Sequence, residues 1–127
     1  MERLEAEYFE KPNISLLEHR HRYLWASAFA RGVVCDIACG AGYGAEFLMA
    51  SKEVVAYLGM DVSDDALSEA SKRYRGPGIH FAKASATDMP IEDASVDTVI
   101  SMETLEHLQD PAAAVREFRR VLRRGEM

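Results

Sequence analysis

Four apolar runs, spaced so that helices fit between and around them, constrain this chain more than any other feature. They read VVCDI at 33–37, VVAYLGMD at 54–61, IHFAKA at 79–84 and VDTVIS at 96–101. They are near-continuous apolar stretches, as expected of strands buried on both faces in a parallel sheet. Helical periodicity occupies residues 15–30, where Leu16, Leu17, Arg20, Leu24 and Ala28 recur near every 3.6 positions. It also occupies 43–52, with Phe47 and Leu48 facing inward, then 63–74 and 111–122. Ser63 or Asp64 caps the third helix, and Pro111 sits in the first turn of the last, where proline is favoured. Strands alternating with such helices predict βαβ units, and right-handed crossovers make the fold class α/β with a doubly wound parallel sheet of about four strands. VDTVIS is then left at one edge of the sheet, unpaired and prone to association. Tyr23, Trp25 and Phe29 have helical spacing and are expected in the core.

The chain has 127 residues, which suits one core. With 15 basic and 21 acidic residues its formal charge is −6, a poor basis for gripping nucleic-acid backbones. One basic cluster, Arg116, Arg119, Arg120, Arg123 and Arg124, fits a solvated helix face, with an RNA or partner contact as the alternative. No apolar run approaches the roughly 20 residues that span a bilayer. The opening MERLEAEYFEKP is acidic and broken by Pro12, unlike a signal peptide, so a cytoplasmic protein is expected. Cys35 and Cys39 then read as reduced thiols in a strand and in the loop after it.

The chemistry begins at VVCDIACGAGYG, where Gly40, Gly42 and Gly44 follow the first strand. Glycines let a backbone approach a ligand closely or turn through positive φ. Their G-x-G-x-G spacing is not the dinucleotide fingerprint G-x-G-x-x-G. The second strand ends in Asp61, placed to accept hydrogen bonds from both hydroxyls of a ribose. Asp36 repels a diphosphate and attracts a cation, which favours a phosphate-free, positively charged nucleoside.

These residues carry a family resemblance. VVCDIACGAGYGAEFL is similar to the first motif of class I S-adenosylmethionine (SAM)-dependent methyltransferases, with Ala38 where glycine is commoner. GMDVSDDALSEASKR resembles their second motif. ATDMPIEDASVDTVISMETLEHLQDPAAAVREFRRVLRRG resembles the third and fourth motifs and the helix that follows. The likeness runs from about residue 20 to 125. It implies a Rossmann-like sheet, of which residues 15–127 form the SAM-binding, N-terminal half after a segment at 1–14. It stops after the fourth strand and its helix, so most of the acceptor side of the family fold lies beyond the resemblance.

Carried over by position, the resemblance makes SAM the cofactor. Asp36 and the backbone of Gly40–Gly42 would hold its methionine part, in a turn that includes Ala38 and Tyr43. Asp61 would grip the ribose and Val62 pack on the adenine. Ser85 stands where an acid usually reaches the adenine amino group, with Ala86 beside the ring and Thr87 or Asp88 as compensation. Backbone at Ser101 or Met102 would meet the ligand's amine, and Arg22 or Tyr23 its carboxylate.

In METLEHL, Glu103, Glu106 and His107 are spaced i, i+3 and i+4, on one face of a helix. The stretch resembles E-x-x-E-H segments of metal-using O-methyltransferases, but no later histidine completes such a site, and no metal is assigned. His107 is the candidate catalytic residue, as base or orienting group, with a structural histidine as the alternative. His19, His21 and His80 are less telling. The expected function is methyl transfer to a small-molecule acceptor, without nucleic acid or membrane. The alternative is a non-catalytic SAM-binding module that pairs into a homodimer through the exposed sheet edge. An oxidoreductase on this architecture would need a turn that accommodates a diphosphate.

Overall fold

The computed structural model describes residues 14–102 and 107–124, with side chains from Arg20 onward. Eight elements follow one another: α1 (Ile14–Ser27), β1 (Gly32–Ile37), α2 (Gly44–Leu48), β2 (Val54–Asp61), α3 (Asp64–Arg73), β3 (Ile79–Lys83), β4 (Thr98–Ser101) and α4 (Pro111–Val121). The strands form one parallel sheet in the order β3-β2-β1-β4. The chain winds outward from β1 in one direction through β2 and β3, then crosses back to lay β4 on the other side. That reversal is the doubly wound pattern, and it opens a crevice at the carboxyl ends of the central strands.

Successive residues of β1 feed opposite faces of the sheet. Val34 joins Tyr23, Ala26, Ala45, Leu48, Tyr57 and Ile100 in a core under α1 and α2. Cys35 and Ile37 join Met60, Met89, Val96, Ala114 and Val121 in a second core against α4. Ser63 caps α3 by accepting from Ala66 N at 3.1 Å, and Asp110 caps α4 by accepting from Ala113 N at 3.1 Å, with Pro111 at the first helical turn.

Three expectations need correction. The second helix is shorter than 43–52: it ends at Leu48, because a turn closed by Ser51 N donating to Leu48 O must deliver the chain to β2. Trp25 and Phe29 are not in the core; each is 68% exposed. Within α1, at 100° per residue, Tyr23 and Ala26 point inward and Trp25 points away; Phe29, in the turn after the helix, tilts on Trp25 at 4.8 Å. The fourth apolar run is also not wholly unpaired. β4 covers only Thr98–Ser101, and beyond α4 Leu122 forms a parallel bridge with Val96, Arg123 N donating to Val96 O at 2.8 Å. Further along β4, no strand flanks its outer edge among the described residues. None of the described helices is long and apolar enough to cross a membrane.

Phe81 of β3 locks the sheet to the turn after β1. A Cβ at Gly59 would lie 2.8 Å from its ring, and one at Gly42 2.9 Å from it. Gly59→Ala is therefore expected to destabilise the chain by about 1–3 kcal/mol through overpacking, read from the urea midpoint; an unchanged midpoint would contradict this packing.

Candidate functional site

The turn after β1 is held by the end of β2. Cys39 N donates to Met60 O at 2.9 Å, and Gly40 N donates to Asp61 Oδ2 at 2.8 Å. The other oxygen of Asp61 accepts from Ser63 N at 2.9 Å. One carboxylate thus joins the β1 turn to the start of α3. Ala38 adopts φ 63°, a left-handed conformation that costs a residue with a Cβ about 1–2 kcal/mol. This accounts for glycine being commoner there in similar sequences.

Packing requires glycine at two of the three positions, Gly42 and Gly44. Gly42 combines φ +83° with a Cβ position 2.7 Å from the Ala70 methyl. Gly44 has its Cβ position 2.7 Å from Asp36 Oδ2 and 2.5 Å from the Tyr23 ring. A side chain at either would push α3, α1 or β3 off the turn.

Beyond the turn lies a cleft of about 200 Å³. Its walls are the exits of three strands: Ile37 and Ala38 from β1, Asp61 and Val62 from β2, and Ala84, Ser85 and Ala86 from β3. His107 and Leu108 close it. Six residues singled out from the sequence meet here: Ala38, Asp61, Val62, Ser85, Ala86 and His107. Val62 is 64% exposed, an apolar side chain at the mouth. Ile37, Ala84 and Leu108 were missed in the sequence; the end-of-strand position marks the first two, and no local pattern marks Leu108. Ser85 Oγ lies 2.9 Å from Thr87 Oγ1, and Asp88 is exposed and outside the cleft lining.

The other expected residues stand elsewhere. Gly40 and Gly42 belong to the turn itself. Tyr43 is buried edge-on to Tyr23, ring centroids 5.3 Å apart. Met102 packs against the core under α1 and α2. At the end of β4 the buried Ser101 Oγ has no hydrogen-bond partner among the described residues. Glu103 and Glu106 lie outside the described residues. Among the described residues, no group of three His, Cys, Asp or Glu side chains is arranged to hold a metal ion. His21 and His80 are exposed.

Asp36 does not line the cleft. It is buried one residue behind it, where Tyr23 OH donates to Oδ1 at 3.1 Å and to Oδ2 at 2.9 Å, and Tyr57 OH donates to Oδ2. The Tyr23 hydroxyl is thus engaged by Asp36. Burial pushes the Asp36 carboxyl up to about 7, against the lowering effect of the two phenols. Burial and the same carboxylate raise Cys35 to about 12, and raise Cys39 as well; both thiols are buried and free of disulfides.

A parallel sheet wound in two directions, with a tight turn after β1, an acid closing β2 and a cleft over the strand ends, defines a Rossmann-like α/β ligand-binding domain. The chain belongs to the methyltransferase domain family, whose model matches residues 35–126. It is similar to a probable S-adenosylmethionine-dependent methyltransferase of Mycobacterium tuberculosis, at 34% identity over 108 residues, 82% of this chain and 38% of that protein. It is also similar to the phthiotriol/phenolphthiotriol dimycocerosates methyltransferase of the same species, at 29% identity over 122 residues, 96% of this chain and 45% of that protein. Among solved structures it resembles the YcgJ protein of Bacillus subtilis, with a TM-score of 0.70 and 28% identity over 82% of this chain and 47% of that one. The chain thus spans less than half the length of the relatives it matches.

A carboxyl raised on folding favours the native state at low pH. Its contribution is complete below an ordinary carboxylate range near 4 and is lost as pH climbs through about 7. Asp36→Asn is expected to flatten the fall in stability over that window, measured as urea midpoints at pH 4 to 8. An unchanged slope would show that Asp36 is not the titrating group.

Proposed function

We propose that this chain is the cofactor-binding part of a SAM-dependent methyltransferase, and that its acceptor is a small molecule. The observation that carries the reading is the cleft walled by Asp61, Val62 and Ala86, at the place where this architecture takes nucleosides. Each oxygen of Asp61 accepts a single backbone N–H, leaving lone pairs for the two ribose hydroxyls. Val62 at the mouth gains from being covered by an adenine ring. Ser85 offers the adenine amino group a neutral acceptor, weaker than the acid more usual there. Ser101 Oγ, lacking a described partner, and the backbone near Gly40 and Met102 suit the polar methionine end.

SAM supplies an activated methyl on a sulfonium centre, so the protein's part is to orient and to exclude water. His107, exposed at the rim of the cleft, is placed to orient the acceptor or take its proton. The acidic balance of the chain and the relative that acts on phthiotriol dimycocerosates favour an acceptor that is not a nucleic acid. The open length of β4 favours pairing of two copies. Sedimentation at high concentration should find a dimer; a strict monomer would refute the pairing.

Calorimetric titration with SAM tests the site. Asp61→Ala should weaken binding by at least about 100-fold, since it removes charge-assisted bonds to two hydroxyls at about 1.5–3 kcal/mol each. Ser85→Asp should tighten it by about fivefold, the gain of a charged over a neutral acceptor. Parent-like affinity in Asp61→Ala, with the fold intact by circular dichroism, would overturn the reading.

A further inference from the structure

Asp36 presents a problem that the binding role of the cleft does not solve. It is completely buried, and among the described residues no cation pairs with it. The groups facing it are neutral or negative: Tyr23 from α1, Tyr57 and Asp61 from β2, Cys39 from the turn, and Cys35 on its own strand. Tyr43 packs behind Tyr23, and β4 apposes only apolar Ile100. A carboxylate ionised in such surroundings carries a large desolvation cost that the two phenol hydrogen bonds only partly offset.

Its hydrogen-bond partners fit either protonation state. Two phenols can both donate to a carboxylate. When the carboxyl is protonated on Oδ1, that O–H can donate to the Tyr23 oxygen while Tyr23 and Tyr57 both donate to Oδ2. The cluster therefore changes charge without orphaning a polar atom. The next two residues along the chain, Ile37 and Ala38, line the cleft, so a positive charge arriving there acts on Asp36 through buried, low-dielectric protein.

We propose that the Tyr23–Asp36–Tyr57 cluster is a latent counter-charge: Asp36 holds a proton while the cleft is empty and gives it up to solvent when the sulfonium ligand binds. This rests on the reading of the cleft as a SAM site. It makes the site prefer the cationic cofactor over its demethylated product, whose sulfur is neutral, so that transfer of the methyl group itself loosens the hold on the product. Tyr23 and Tyr57 act as positioning residues through Asp36. The rise of the Asp36 carboxyl to about 7 puts the proton within reach of neutral pH.

The test is calorimetric titration of the chain with SAM and with S-adenosylhomocysteine at pH 7, in two buffers of different ionisation enthalpy. SAM binding should release about half a proton, the protonated fraction of a group titrating near 7, and the demethylated compound clearly less. SAM affinity should rise about tenfold between pH 6 and 8, and Asp36→Asn, which retains the ligand's own titration, should remove most of that rise. Tyr57→Phe takes away a bond that favours the ionised form and should move the release to higher pH. Heat that is identical in both buffers would overturn this inference while leaving the SAM site standing. Absence of heat with SAM at every pH would overturn both.

Discussion

The carboxylate of Asp61 accepting the backbone N–H groups of Gly40 and Ser63 is the contact on which the site depends. It fixes the turn leaving β1 against the end of β2, and so sets the floor and one wall of the cleft together. Everything else in the turn conforms to that clasp. Gly42 and Gly44 lack side chains because Phe81, Ala70, Tyr23 and Asp36 already occupy the space. Ala38 accepts a left-handed backbone because the chain must reverse immediately after β1. An acid at the end of a second strand can hold this clasp and still accept from a ligand, since a carboxylate has more lone pairs than two N–H groups consume.

Much of the fold was legible because a doubly wound sheet makes repetitive demands. Buried parallel strands must be apolar throughout, and the helices between them must announce their starts, as Ser63 and Pro111 do. Its errors have physical causes. Helical spacing alone does not say which stripe faces inward or where the helix stops: in α1 Trp25 lies opposite Tyr23, and Phe29 falls beyond the helix end. Strand ends depend on partners distant in sequence, so the bridge between Val96 and Leu122 had no local sign.

The site was legible where a backbone position decides the role. Asp61, Val62, Ser85 and Ala86 stand at strand exits and meet at the cleft because the topology brings all such exits together. Asp36 was harder. Its place in the motif suggested direct contact with a ligand, whereas alternation along β1 turns its side chain to the face covered by α1, between two phenols supplied by α1 and β2. Only the three-dimensional pairing of Tyr23 with Tyr57 reveals that it is sealed.

The central claim is that a sulfonium nucleoside lies across the exits of β1, β2 and β3. Amide chemical shifts of the labelled chain, followed as SAM is added, test it most directly. The account predicts that the largest changes fall on Ala38, Gly40, Val62 and Ala86, with Leu58 and Arg120, which line a separate pocket, unmoved. Changes centred on that second pocket, or none at saturating ligand, would contradict it.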